Sequence, residues 1–140
     1  MLVGRVGAGK THLLMAISNN LLAKGIEVIY FPWVEGFNEI KDDFSKLEEK
    51  MSRLKKCDVL FLDDIFKGRE NPTAFQLEQL FGLVNYRYLN KKPVLISSEK
   101  TIAELLAIDE GIGSRLYEMC ENYKVVIEGD AKLNYRLRNL

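Results

Sequence analysis

Gly4-Arg5-Val6-Gly7-Ala8-Gly9-Lys10-Thr11 is the stretch from which the rest of this chain is read. The eight residues satisfy the pattern G-x-x-x-x-G-K-[ST] in full. Glycines at these positions let the backbone turn tightly and aim successive N–H groups at phosphate oxygens. A helix that starts on the loop adds the partial positive charge of its N-terminus. Lys10 brings an ammonium to the β- and γ-phosphates of a nucleotide, and the Thr11 hydroxyl is placed to coordinate Mg2+. Gly4, Arg5, Val6, Gly7, Ala8, Gly9, Lys10, Thr11 and the adjoining His12 are therefore expected to cradle ATP with its Mg2+. His12 is the one histidine of the chain. On the first helical turn it is expected to pack against or flank the nucleotide rather than to act as a base.

Such a loop leaves the end of a buried strand, yet only Met1, Leu2 and Val3 precede it. That is too short for a full strand, so the chain is expected to be a fragment that lacks the start of its first strand. Downstream, apolar periods alternate with polar punctuation. Leu2–Val3 reads as a strand tail, and His12–Ala23 as a helix ending near Gly25. Glu27–Phe31 reads as a strand stopped at Pro32, and Glu35–Lys56 is charged and helical in period. Asp58–Leu62 reads as a strand covered on both faces, and Thr73–Leu89 as a helix. Pro93–Ile96 is a fourth strand, Ile102–Leu106 a short helix, Ile112–Glu121 helical, and Lys124–Glu128 a fifth strand. Strands alternating with helices predict βαβ units and a parallel five-stranded sheet flanked by helices, a three-layer α/β domain over residues 1–140.

The 140 residues are 47% hydrophobic, enough for one domain core. Twenty basic residues balance twenty acidic ones, so no whole-surface attraction to nucleic acid is implied. Lys91-Lys92, Lys100 and Arg53-Lys55-Lys56 leave room for a local basic track. Cys57 and Cys120 fit neither a metal site nor a disulfide framework and are expected in or near the core. No apolar run approaches the ~20 residues that span a bilayer. A soluble, cytoplasmic protein is expected.

Val59-Leu60-Phe61-Leu62-Asp63-Asp64 is an apolar strand ending in two carboxylates, the Walker B form. Asp63 is expected to hold the Mg2+ shell, because hard cations prefer carboxylate oxygens. Asp64 is expected to orient or deprotonate the attacking water. Many ATPases place the longer Glu there. Trp33 offers either a capping hydrophobic contact or a surface for a partner or a stacked base.

With these motifs in order, the chain resembles the AAA+ ATPases, and within them the bacterial helicase loaders of the DnaC/DnaI type, including those borne by phages and prophages. The resemblance rests on GRVGAGKTHLLMAI, DVLFLDDI, KPVLISSEKTIAELL and GIGSRLYEMC. It implies that Ser97-Ser98-Glu99 occupies the sensor 1 turn, where relatives often read T-S-N, with Glu99 at the usual Asn position and Ser98 close by, and that a polar group there positions the lytic water against the γ-phosphate. An ionised Glu99 cannot donate a hydrogen bond as that Asn does. Gly113-Ser114-Arg115-Leu116 resembles the box VII segment, which makes Arg115 an arginine finger acting in trans on a neighbouring subunit's ATP. Arg136, in Asn134-Tyr135-Arg136-Leu137, resembles a sensor 2 arginine. A C-terminal helical lid is expected to be absent. The resemblance further implies ATP hydrolysis in self-associated subunits, a replicative DNA helicase and single-stranded DNA as partners, and a missing N-terminal domain that carries the helicase contact. A transposition helper ATPase of the IstB type shares the same motifs. A nucleotide-gated binding module with weak hydrolysis is a further alternative.

Overall fold

In the computed structural model, residues 1–68, 71–129 and 131–139 are described. Five strands form one sheet: β1 (Leu2–Gly4), β2 (Val28–Pro32), β3 (Val59–Asp63), β4 (Val94–Ser98) and β5 (Val125–Ile127). Their spatial order is β2-β3-β4-β1-β5, and every pairing is parallel. Helices α1 (Lys10–Ala23), α2 (Trp33–Asp42), α3 (Leu47–Lys56), α4 (Ala74–Leu89), α5 (Ile102–Ile108) and α6 (Glu110–Cys120) flank it. This is the expected α/β architecture. Parallel strands put all their carboxyl ends on one edge, where such sheets bind ligands. The phosphate loop after β1, Asp63 at the end of β3 and Glu99 after β4 therefore share that edge.

β3 carries the fold's centre. All five of its residues are buried, and Leu60, Phe61 and Leu62 are fully so. A strand covered on both faces has no polar side, which is why its sequence shows a run of apolar residues and no alternation. β1 is only three residues long, yet it is held on both sides, by β4 through Leu2 and Val3 and by β5 through Leu2, Val3 and Gly4.

The stretch expected to be helical over Glu35–Lys56 divides in two. α2 starts earlier, at Trp33 directly after Pro32, and ends at Asp42. Asp43 leaves helical geometry (φ −142°, ψ 83°), and its carboxylate accepts from the Ser45 N–H at 3.2 Å, opening a single 3-10 turn over Phe44–Lys46. Aspartate competes for backbone donors in this way, and that competition breaks helices that periodicity alone would continue. Trp33 resolves to the core. It is 3% exposed, with its ring 4.8 Å from Phe37 and 5.0 Å from Phe66. Cys57 and Cys120 are buried free thiols.

α4 and α5 each start on a capping box, Thr73 with Gln76 and Thr101 with Glu104. The described residues after β5 form single 3-10 turns, Ala131–Leu133 and Tyr135–Leu137, and no helical lid. Among the described residues no helix is long and apolar enough to cross a membrane.

Candidate functional site

Gly9, the N-cap of α1, has φ 84°, and Gly7 has φ 77°. Both lie in the left-handed region that only glycine adopts freely. At Gly7 space also forbids a side chain, since an added Cβ would fall 2.0 Å from the Asn134 side-chain oxygen. The Tyr135 N–H donates to the Gly7 carbonyl at 3.1 Å, so the C-terminal turns are fastened to the phosphate loop. Between them opens a cleft of about 790 Å3. Val6, Gly7, Ala8, Gly9, Lys10, Thr11 and His12 line it, with Asp64, Lys67, Glu99 and Arg136 around them. Gly4 closes β1 behind the loop, and Arg5 faces a smaller neighbouring hollow. His12 is exposed on the cleft wall, where it flanks the space.

Lys10 is buried and curls back on the loop. Its ammonium donates to the carbonyls of Gly4 at 2.7 Å and Arg5 at 2.8 Å. Desolvation pushes its pKa below the ordinary lysine value, against the opposing pull of Asp64 and Glu99. Asp63 lies under Thr11, whose hydroxyl donates to it at 2.8 Å. Two further hydroxyls converge on the same carboxylate. Tyr30 donates to Oδ2 at 2.8 Å, and Ser97 donates to Oδ1. Partial burial and then this bond raise the Tyr30 pKa above its ordinary value. Ser97 also accepts the Asp64 N–H at 2.8 Å, so one serine bonds the Asp63 carboxylate and the backbone of its neighbour.

Asp64 and Phe66 hold left-handed backbone conformations, with φ 53° and 58°. The tight turn that results is clamped to β4. The Ile65 N–H donates to the Ser97 carbonyl at 3.1 Å, and the Ser98 hydroxyl donates to the Ile65 carbonyl at 3.3 Å. Ser98 was expected beside the water-positioning group. It is fully buried and does not line the cleft, because its hydroxyl is committed to that turn. Glu99 does line the cleft, and its one ion pair among the described residues is with Lys67 at 3.5 Å.

Arg136 reaches the cleft, whereas Arg115 does not. The Arg115 guanidinium donates to the Asn85 side chain at 3.1 Å and the Gly111 carbonyl at 2.8 Å, and it lies over the rings of Phe81 and Tyr88. Two site residues escaped the sequence reading, Tyr30 and Lys67, and Ser97 was read in the sensor 1 turn without its bond to Asp63. Tyr30 left no signal, because its role follows from β2 lying beside β3. Lys67 left a weak one, an i,i+3 pair with Asp64.

A parallel sheet with this loop and this acidic strand end defines the nucleotide-binding ATPase domains of the AAA+ class. The family model "Bacterial DnaA ATPase domain" matches residues 1–120. The chain belongs to that family, and its structural neighbours include helicase loaders of the DnaC and DnaI kind, as expected. It is 52% identical to phage-like element PBSX protein XkdC of Bacillus subtilis (strain 168), over 99% of this chain and 54% of that protein. Its fold superposes on a DnaC helicase loader with TM-score 0.77 at 29% identity, covering 91% of this chain and 76% of that one. Replication initiator DnaA bound to AMPPCP and single-stranded DNA superposes with TM-score 0.70 at 29% identity, covering 93% and 40%. The chain spans about half the length of curated relatives it matches.

Proposed function

We propose that this domain binds ATP with Mg2+ in the cleft, hydrolyses it in self-associated subunits, and uses the cycle to load a replicative DNA helicase onto single-stranded DNA. The observation that carries the reading is the meeting of the Thr11 hydroxyl and the buried Asp63 carboxylate, 2.8 Å apart, at the foot of the glycine loop. Asp63 is 4% exposed, and three hydroxyls donate to it. The Lys10 ammonium attracts it from a distance without bonding to it, because that ammonium donates to the Gly4 and Arg5 carbonyls. A carboxylate oriented in this way suits a hard divalent cation. Among the described residues no group of three or more His, Cys, Asp or Glu could hold a metal by itself. A site built from one hydroxyl and one carboxylate leaves its remaining positions to water and phosphate oxygens. Bound there, Mg2+ would neutralise charge on those oxygens.

In this reading the loop amides and Lys10 grip the phosphates, and Lys10 exchanges its two carbonyl partners for phosphate oxygens. Asp64 takes the proton of the attacking water as the water oxygen bonds to the γ-phosphorus and the bond to the β–γ bridging oxygen breaks. Arg136 lies close enough to the loop to face the phosphates. Arg115 supplies its charge to a neighbour's ATP, in keeping with its distance from its own cleft. DnaC-type and DnaA-type neighbours support the helicase and single-stranded DNA as partners.

Lys10→Ala is expected to abolish ATP binding, measured by equilibrium fluorescence of a labelled nucleotide; undiminished binding refutes the cleft as the nucleotide site. The loading role is tested by retention of the host's replicative helicase on single-stranded DNA circles. ATP and this protein together should increase retention, and no increase would remove the helicase from the reading.

A further inference from the structure

Two carboxylates stand where a triphosphate is to bind. Asp64 and Glu99 both line the cleft. An anion there repels a γ-phosphate and cannot donate to it. Lys67 lies between the two acids, its ammonium 2.9 Å from Asp64 Oδ2 and 3.5 Å from Glu99 Oε1, and it lines the same cleft. The backbone that delivers it is held firmly. Ile65 and Phe66 are buried, Asp64 and Phe66 take left-handed φ values, and the Lys67 N–H closes the turn on the Asp64 carbonyl at 3.0 Å. Two non-glycine residues in that region cost free energy. Such strain persists where the surroundings over-determine it, and here it returns the chain so that residue 67 faces the cleft.

We propose that Lys67 is the γ-phosphate sensor of this domain: its ammonium, positioned by Glu99, contacts the γ-phosphate directly. With the cleft free of nucleotide, Lys67 pairs with both Asp64 and Glu99 and so occupies the carboxylate that the proposed mechanism uses as the base. When ATP binds, the ammonium shifts to a γ-phosphate oxygen, stays paired with Glu99 and leaves Asp64 free to accept from water. ADP offers no γ-oxygen, so Asp64 stays occupied. Glu99 thereby becomes a positioning residue whose charge is required, which accounts for a carboxylate in a place that otherwise disfavours one. The pairing raises the Lys67 pKa, chiefly through its bond to Asp64, so the ammonium stays charged.

This inference rests on the cleft being the ATP site, and the test separates the two. Equilibrium affinities for ATP and for ADP are measured with Mg2+ for the unaltered protein, Lys67→Met, Lys67→Arg and Glu99→Gln. Loss of a charge-assisted contact to one phosphate should weaken ATP binding about tenfold or more in Lys67→Met. ADP affinity should stay within about twofold, which also reports an intact fold. Lys67→Arg should restore most of the ATP preference. Glu99→Gln should lower it partway, because the ammonium loses its anchor. If Lys67→Met distinguishes ATP from ADP as well as the unaltered protein does, the sensor assignment is overturned and the ATP site stands. If the unaltered protein binds neither nucleotide, both fall.

Discussion

Arg87 is the largest fully buried side chain among the described residues, and its guanidinium makes no hydrogen bond to a carboxylate there. Its guanidinium donates instead to carbonyls of Leu54, Lys55, Cys57, Asp58 and Pro93, at 2.6–3.1 Å. The first acceptors cap the end of α3, and the others join the starts of β3 and β4. One planar fork thus ties three elements together at the edge opposite the cleft. Arg87→Met should cost about 3 kcal/mol or more, because it strands several buried carbonyls; a chemical-denaturation midpoint close to that of the unaltered protein would show the carbonyls rehydrated. At the other end of β3, Tyr30→Phe removes one of the three hydroxyls that orient Asp63 while leaving the packing intact. Groups that orient a metal's carboxylate typically matter about 10–100-fold in affinity. The Mg2+ concentration giving half-maximal ATP turnover should rise by roughly that lower figure, and an unmoved midpoint would mean Thr11 and Ser97 suffice.

At the scale of elements, local signals and tertiary packing contribute in different proportions. α4 starts where a threonine hydroxyl accepts from the Gln76 N–H at 3.1 Å and the Gln76 side chain answers the Thr73 N–H at 2.9 Å. Thr73→Ala should cost about 1 kcal/mol by denaturation, without changing nucleotide affinity. A larger loss would mean that the segment before α4 depends on the cap as well. α1 behaves otherwise. Its apolar residues do not segregate, since Leu14 is buried while Leu13, Ile17 and Leu22 are each more than 40% exposed. The helix is held by its place behind the loop and against the sheet, so its existence was legible from sequence and its buried face was not. The break at Asp43 was equally hard to read, because one side chain competing for an N–H overrides a helical period that continues on both sides.

At the scale of the whole molecule, the carboxyl edge of the sheet gathers the residues that line the cleft, and Arg115 lies elsewhere. Its guanidinium rests between Phe81 and Tyr88, ready-formed contacts that a neighbour's phosphates would have to replace. If Arg115 acts in trans, turnover per molecule should rise with protein concentration, and Arg115→Ala should abolish that rise while retaining ATP binding. Concentration-independent turnover in both proteins would place the finger elsewhere.

The sequence alone was enough for the phosphate loop, the acidic end of β3 and the parallel α/β class, because each is written in contiguous residues whose chemistry or period is local. The particular strand order and the partners of each acid were decided only in three dimensions. Tyr30 reaches Asp63 because β2 pairs with β3, Ser97 because β4 pairs on the other side, and Lys67 because a left-handed turn brings it back. Ser98 and Glu99 are neighbours in the chain, yet adjacent residues point to opposite sides, so one closes a buried turn and the other faces the cleft. Hydrogen bonds between distant segments leave no trace in spacing or composition; they exist only once the sheet has assembled.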